Sequence, residues 1–409
     1  MFKRASYLFI VFSLLFSGLF PKVTWAAPGV TAEAAVLMDM ESGQILYQKN
    51  MDKRMYPAST TKIMTGLLAI RKGDFKDRVK VSREAVMAGG SSVGLQEDEV
   101  LTQEDLLYAL LLPSSNDAAV ALAEHISGSL DEFVRTMNAE AQAIGALDTH
   151  FANPHGLHDP NHYTTARDMA LIAREAMKNS TFRKIVGTYN YKTERFLPKP
   201  VNGIPQVDFV NLNKLMWPGF SYEYPGITGV KTGYTDEARR CLVSSSKRNG
   251  RELLSVVLKT ENLGIYQDSV ALLNYGFNEF KQINVVDQGS EVTRAPVTRG
   301  ESEEIGVVAS ETFRFNVLVK ENQVIDKKIN IDGSITAPVS KGQKVGAMYF
   351  TMAGKTVGSI DLLSDRDVDK KPFFQWWHGL IVLGLIYFTL ILKARARRRR
   401  YLLRKRRWG

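Results

Sequence analysis

The chain has 409 residues, 44% of them hydrophobic and 23% charged, enough for two or more domains that each bury a core. Its formal charge of +10 sits wholly in residues 393–409, which hold ten Lys and Arg and no acid, so the rest sums to zero and has no net basic character to offer a polyanion. The single cysteine, Cys241, excludes an intrachain disulfide, and its place in the run Cys241-Leu242-Val243 argues against a thiol nucleophile.

Lys3 and Arg4, the apolar run Tyr7 to Phe20 and the small pair Ala26-Ala27 form a secretory leader over residues 1–26. A retained N-terminal anchor is disfavoured because the run is short for a bilayer span. Residues 32–281 mix strands and amphipathic helices. Ala34 to Met40 and Gln44 to Gln48, joined by Glu41-Ser42-Gly43, read as a hairpin. Pro57-Ala58-Ser59-Thr60-Thr61-Lys62 then runs into an apolar helical pattern whose start is expected at or just before Ser59. Helical periodicity follows at 103–112, 117–125, 130–144 and 166–178. Strands are expected at 229–235, 241–246 and 253–259, the last two joined by the turn Arg248-Asn249-Gly250. The expected architecture is α/β (α+β), an antiparallel sheet flanked by helices.

Residues 283–363 alternate polar and apolar positions between Gly and Asn turns and read as a small all-β domain, a β-sandwich serving as stalk or contact module. Residues 364–372, charged and ending in a proline, read as a linker. The 20 residues 373–392 match the hydrocarbon thickness, open on Trp376 and Trp377 and close on the arginine run, the pattern of a transmembrane helix. The positive-inside rule then places the tail 393–409 in the cytoplasm and the body outside it, in agreement with the leader. Binding of the tail to anionic lipid is the plain expectation, and a nucleic-acid role is disfavoured by the adjacent span.

Three stretches carry chemistry. Ser59 and Lys62, three apart at a helix start, place a hydroxyl and an amine on one face, where a buried neutral amine can activate the hydroxyl. A second Ser-x-x-Lys, Ser244 to Lys247, lies at a strand end entering a turn. Ser114 and Asn116 lie two apart in a turn that opens a helix, a pattern that also suits an ordinary N-cap. Lys231-Thr232-Gly233 lies on a strand whose glycine lets another chain approach closely, as at an edge that receives an extended peptide.

Taken together and in this order, these motifs resemble those of the serine-type D-alanyl-D-alanine carboxypeptidases, the low-molecular-mass penicillin-binding proteins. Gly89-Gly90-Ser91-Ser92, Phe151-Ala152-Asn153-Pro154-His155-Gly156-Leu157, Tyr163 to Asp168 and Asn274-Tyr275-Gly276-Phe277 are similar to family sequence as well. The resemblance covers residues 32–281 strongly and the β-rich part more loosely. It implies the β-lactamase/DD-peptidase-like fold, peptidoglycan stem peptides as substrate, β-lactams as inhibitors and no cofactor.

Residue by residue, the resemblance implies Ser59 as nucleophile, Lys62 as its proton acceptor and Ser114 as a proton relay. Asn116 would hold a substrate amide, Lys231 and Thr232 the terminal carboxylate, and the amides of Ser59 and Tyr234 the oxyanion, with Gly233 opening the edge. Tyr234 stands where several relatives have His, and Arg239-Arg240 where a small pair is expected, placing two cations near the site. His155, His158 and His162 invite a zinc reading, but no Glu or Cys accompanies them at metal spacing. A β-lactamase would need a Glu-bearing loop to activate water, which the sequence does not show. A transpeptidase of the same fold would form the same acyl-enzyme and pass it to an amine. A catalytically silent wall-binding scaffold would have no use for Ser59 and both lysines.

Overall fold

The structure is a computed structural model that describes residues 27–201, 204–321, 323–372 and 376–406. The expected leader, residues 1–26, lies outside them, as do Phe373 to Gln375 of the expected span. The chain divides into two compact units, one reaching to Gln282 and including Asn316–Glu321, the other made of the remainder.

The first unit contains strands β1 (Ala34–Asp39) and β2 (Ile45–Lys49), then helices α1 (Lys62–Lys72), α2 (Gln103–Leu111), α3 (Asn116–Ser127), α4 (Leu130–Ile144), α5 (Ala166–Lys178) and α6 (Ser180–Val186). Strands β3 (Ile227–Thr235), β4 (Arg239–Arg248) and β5 (Arg251–Thr260) and helix α7 (Gly264–Glu279) follow. The five strands form one antiparallel sheet in the order β2-β1-β5-β4-β3, so β3 is an edge. Asn249 and Gly250 both have positive φ (50° and 81°), which makes the two-residue β4–β5 connection the twist-compatible hairpin turn.

Alternation along the strands divides the apolar side chains between two layers. Ala34, Val36, Met38, Cys241, Val243, Leu254 and Val256 face a large core built around α1. Ala35, Leu37, Leu242, Leu253 and Val257 face a smaller one against Ile265, Leu272 and Leu273 of α7. Nine of the eleven residues of α1 are buried, so this helix runs through the middle of the helical layer, the sheet on one side and α2, α3 and α5 around it. Two helix starts are capped by threonine hydroxyls: Thr102 accepts from the amide of Asp105, and Thr165 from that of Asp168.

Three local differences from the sequence reading have physical causes. The expected helix start at Ser59 is a 3-10 turn, Ala58–Thr61, with the α-helix proper beginning at Lys62. Ala58 has a φ of 49°, and Thr60 and Thr61 bond back to Pro57 and Ala58, which tightens the first turn. Helix α7, obscured in the sequence by Gly264 and Gly276, lies flat on the sheet, because a Cβ at Gly276 would meet Leu253 at 2.5 Å and Leu37 at 2.7 Å. The expected linker, residues 364–372, belongs to the second unit: Val368 is buried, exchanges both backbone hydrogen bonds with Val339, and Lys371 bonds to Arg299. One apolar side chain with a strand partner outweighs the polar composition around it.

In the second unit, β6 (Glu291–Thr298), β7 (Glu304–Ala309), β8 (Asp326–Ile331), β9 (Ile335–Thr336), β10 (Lys344–Met352) and β11 (Lys355–Ser364) form one sheet in the order β8-β10-β11-β7-β6-β9. All its pairings are antiparallel except β6 with β9. Ile305, Val307, Phe350, Leu362 and Val368 are in its core. Helix α8 (Trp376–Lys405) is long and apolar enough to cross a membrane and continues through most of the basic tail.

Candidate active site

Ser59 stands in the 3-10 turn and Lys62 one turn later, and the amine reaches back to the hydroxyl at 3.0 Å. Lys62 is completely buried. Its Nζ also donates to Oδ1 of Asn116 at 2.6 Å and to the carbonyl of His155 at 2.7 Å. These three contacts are not equivalent. The amide and carbonyl oxygens can only accept, so a neutral amine must spend its two hydrogens on them, and its lone pair is left facing Ser59. The orientation of Asn116 is fixed in turn by its Nδ2, which donates to the carbonyl of Gly89 at 2.8 Å.

Electrostatics favour that neutral form. Burial drives the Lys62 ammonium well below its usual range, and the nearby Lys231 pushes it in the same direction; the buried Asp117 carboxylate opposes them. Lys231, itself 1% exposed, is brought down to about 7 by burial. His155 and His162 are held neutral by burial, at about 3 and about 4. Burial pushes the Cys241 thiol up to about 12, an inert group in β4.

The edge strand β3 closes on the serine. A Cβ at Gly233 would lie 2.9 Å from the amide nitrogen of Ser59 and 3.1 Å from Cβ of Ala58, so only glycine lets β3 run this close to the turn. Lys231 lies one alternation away on the same face. Thr232 is half-buried, and Tyr234 is exposed, its hydroxyl bonded to Asp236 at 2.8 Å. Ser114 has a φ of 70° and a buried Oγ without a hydrogen-bond partner among the described residues, a hydroxyl ready for a ligand or a proton. Ser59, Lys62 and Asn116 are thus joined by direct bonds, Gly233 and Lys231 close around them, and Ser114 stands unbonded. The second Ser-x-x-Lys is elsewhere, in β4 with Ser244 fully buried and bonded to Asn213.

Sequence reasoning missed the supports beneath these residues. Gly156 (φ 89°) packs so tightly under the turn that a Cβ there would be 1.9 Å from the carbonyl oxygen of Ala58. His162 accepts from the amide of Ala152 through Nδ1 at 3.0 Å, which leaves Nε2 to donate to Thr61 at 2.8 Å, and Thr61 donates to the Ala58 carbonyl at 2.8 Å. Two of the three histidines weighed as zinc ligands thus have other partners, His155 through its main-chain carbonyl and His162 through its neutral ring. Among the described residues no three His, Cys, Asp or Glu are placed to hold a metal. Gly90, with a φ of 68°, leaves room for Nδ2 of Asn116, 2.7 Å from where a Cβ would stand. The signal for these positions was the Asn153-Pro154-His155-Gly156 turn and the Gly89-Gly90 pair, which name a tight backbone without saying what it touches.

Residues 22–262 match the family D-alanyl-D-alanine carboxypeptidase, and residues 280–370 match the penicillin-binding protein 5, C-terminal domain. The chain is 35% identical over 358 residues to the D-alanyl-D-alanine carboxypeptidase DacF of Bacillus subtilis, covering 84% of this chain and 88% of that one. It is 34% identical over 372 residues to DacA of Haemophilus influenzae, covering 88% and 91%. The solved structure of penicillin binding protein 5 from Haemophilus influenzae superposes with a TM-score of 0.73 at 31% identity, over 84% of this chain and 99% of that one.

Proposed function

The chain belongs to the D-alanyl-D-alanine carboxypeptidase family of serine hydrolases, and from that premise we propose which of its residues carry the reaction and where it takes place. It removes the terminal D-alanine from peptidoglycan stem peptides and interacts with β-lactams. Ser59 is the nucleophile. Its Oγ attacks the carbonyl carbon of the penultimate D-alanine while its proton passes to Nζ of Lys62, whose lone pair the acceptors Asn116 and His155 direct at it. Negative charge that develops on the carbonyl oxygen is met by the backbone amides of Ser59 and Tyr234. Ser114, buried and unbonded, relays a proton to the leaving amine. D-Alanine departs, and water then attacks the acyl-enzyme, with Lys62 taking the water's proton.

The observation that carries this reading is the 3.0 Å contact between a completely buried lysine and the serine three residues before it. A β-lactam presents a carboxylate and a strained amide in the same arrangement, and its cleaved amine stays tethered to the acyl group, so the adduct on Ser59 persists. Mass spectrometry of the penicillin-treated protein tests the assignment: one adduct is expected, on the peptide bearing Ser59, and none on Ser59→Ala. Release of D-alanine by Ser59→Ala would overturn it.

The anchor belongs to the same proposal. Helix α8 crosses the membrane, its arginine-rich end lies on the cytoplasmic side against anionic lipid, and residues 27–372 work outside, where the wall is. Protease added to intact cells should then remove the catalytic domain, whereas protection of that domain would refute the orientation.

A further inference from the structure

The substrate ends in a carboxylate, and an anion needs a cation with a free face. Lys231 offers little of one: it is 1% exposed, and its Nζ donates to the carbonyl of Thr232 at 3.0 Å. The sheet supplies another. In the pairing of β3 with β4, Thr232 stands opposite Leu242 and Tyr234 opposite Arg240. Opposed residues project to the same face, so Thr232, Tyr234 and Arg240 share one face while Lys231 and Gly233 take the other. Because β3 is an edge strand, a peptide lying along it is bordered from both sides, by Ser59 and Gly233 on one and by Thr232 and Arg240 on the other.

Arg240 is exposed, with its guanidinium carbon 5.5 Å from the Tyr234 ring centroid, and among the described residues it has no ion pair. Its neighbour Arg239 is already engaged with Glu261 at 3.4 Å. A guanidinium resting on an aromatic face keeps its forked N–H groups free at the rim, the geometry that receives a carboxylate through two parallel bonds. Resting on the carboxypeptidase reading above, we propose that Arg240, together with the Thr232 hydroxyl, receives the C-terminal carboxylate of the substrate and so sets the preference for a peptide with a free C-terminus. Lys231 then serves the interior of the site, as the charge beside Lys62.

The test is steady-state release of D-alanine by the full-length protein in detergent from an acetylated L-Lys-D-Ala-D-Ala peptide, against release of D-alaninamide from its C-terminal amide. Arg240→Ala should raise KM for the acid by about 10-fold or more, the range of hydrogen bonds to charged groups. It should leave kcat for the acid and the kinetics on the amide within about twofold, and Arg240→Lys should recover part of the loss. An active wild type whose Arg240→Ala variant keeps its KM, or loses equally on both substrates, would overturn the Arg240 assignment alone. A wild type that releases no D-alanine would overturn the carboxypeptidase reading and this assignment with it.

Discussion

Gly156→Ala probes the seat of the proposed nucleophile, Ser59, without touching a group proposed to react. The new methyl would lie 1.9 Å from the carbonyl oxygen of Ala58 and 2.4 Å from its carbon. Both are main-chain atoms, so no side-chain rotation relieves the clash, and opening the contact to 3.0 Å, below which real Cβ atoms are essentially never found, moves the carbonyl by about 1.1 Å. Ala58 is bonded directly to Ser59, and Gly156 to His155, whose carbonyl holds Lys62 at 2.7 Å. The displacement therefore pulls apart the two halves of the 3.0 Å Ser59–Lys62 contact. A misplacement of about 1 Å costs on the order of 100-fold in rate. The positive φ of 89° adds strain for any residue with a Cβ, about 1–3 kcal/mol of stability. The expected outcome is a kcat/KM for D-alanine release, and a rate of penicillin acylation, both lower by about 100-fold in protein that still unfolds cooperatively in urea. Thr61→Ala should not rescue it, because the nearest obstacles are backbone. Acylation at the wild-type rate by a folded Gly156→Ala protein would refute the reasoning.

Three further outcomes follow from the same geometry. Asn116→Ala removes one of the two acceptors that orient Lys62 and the partner of the Gly89 carbonyl; acylation should fall by about 100-fold and stability by about 1–3 kcal/mol, and stopped-flow acylation with urea titration checks both. Lys231→Met removes the cation that helps push Lys62 down, so the amine stays protonated to higher pH and the acidic limb of the acylation profile should move upward; a limb that stays in place or moves down contradicts the coupling. For His162 the folded value, about 4, lies below the ordinary 6.5, so the unfolded chain binds more protons between them. Its contribution is complete above about 6.5 and is lost as pH falls toward 4, roughly 3 kcal/mol in all. Urea unfolding of wild type and His162→Gln from pH 7.5 to 4 should show the shallower decline in the variant, and parallel curves would refute the assignment.

Much of the fold could be read along the chain because it depends on local periodicity. The alternation in 253–259, the Asn249-Gly250 turn and the 3.6-residue pattern of Leu130–Ile144 each lie within one element and reappear there as β5, the β4–β5 turn and α4. Helix α7 escaped because Gly276 is demanded by its approach to the sheet, a contact that includes Leu37, far away along the chain. Within the expected linker 364–372, the strand partner that Val368 finds at Val339 escaped for the same reason, since it leaves no mark on local composition.

At the site, the groups proposed to react were legible along the chain: a hydroxyl and an amine three residues apart are neighbours on any helix start, whatever surrounds them. The surroundings that tune and steady that amine come from packing alone. Burial and the neighbouring Lys231 shift Lys62 toward its neutral form, and Asn116 and the His155 carbonyl, 54 and 93 positions away in sequence, accept its hydrogens and so aim it. Burial and hydrogen-bond direction are properties of packed neighbours in three dimensions, and spacing along a chain does not carry them.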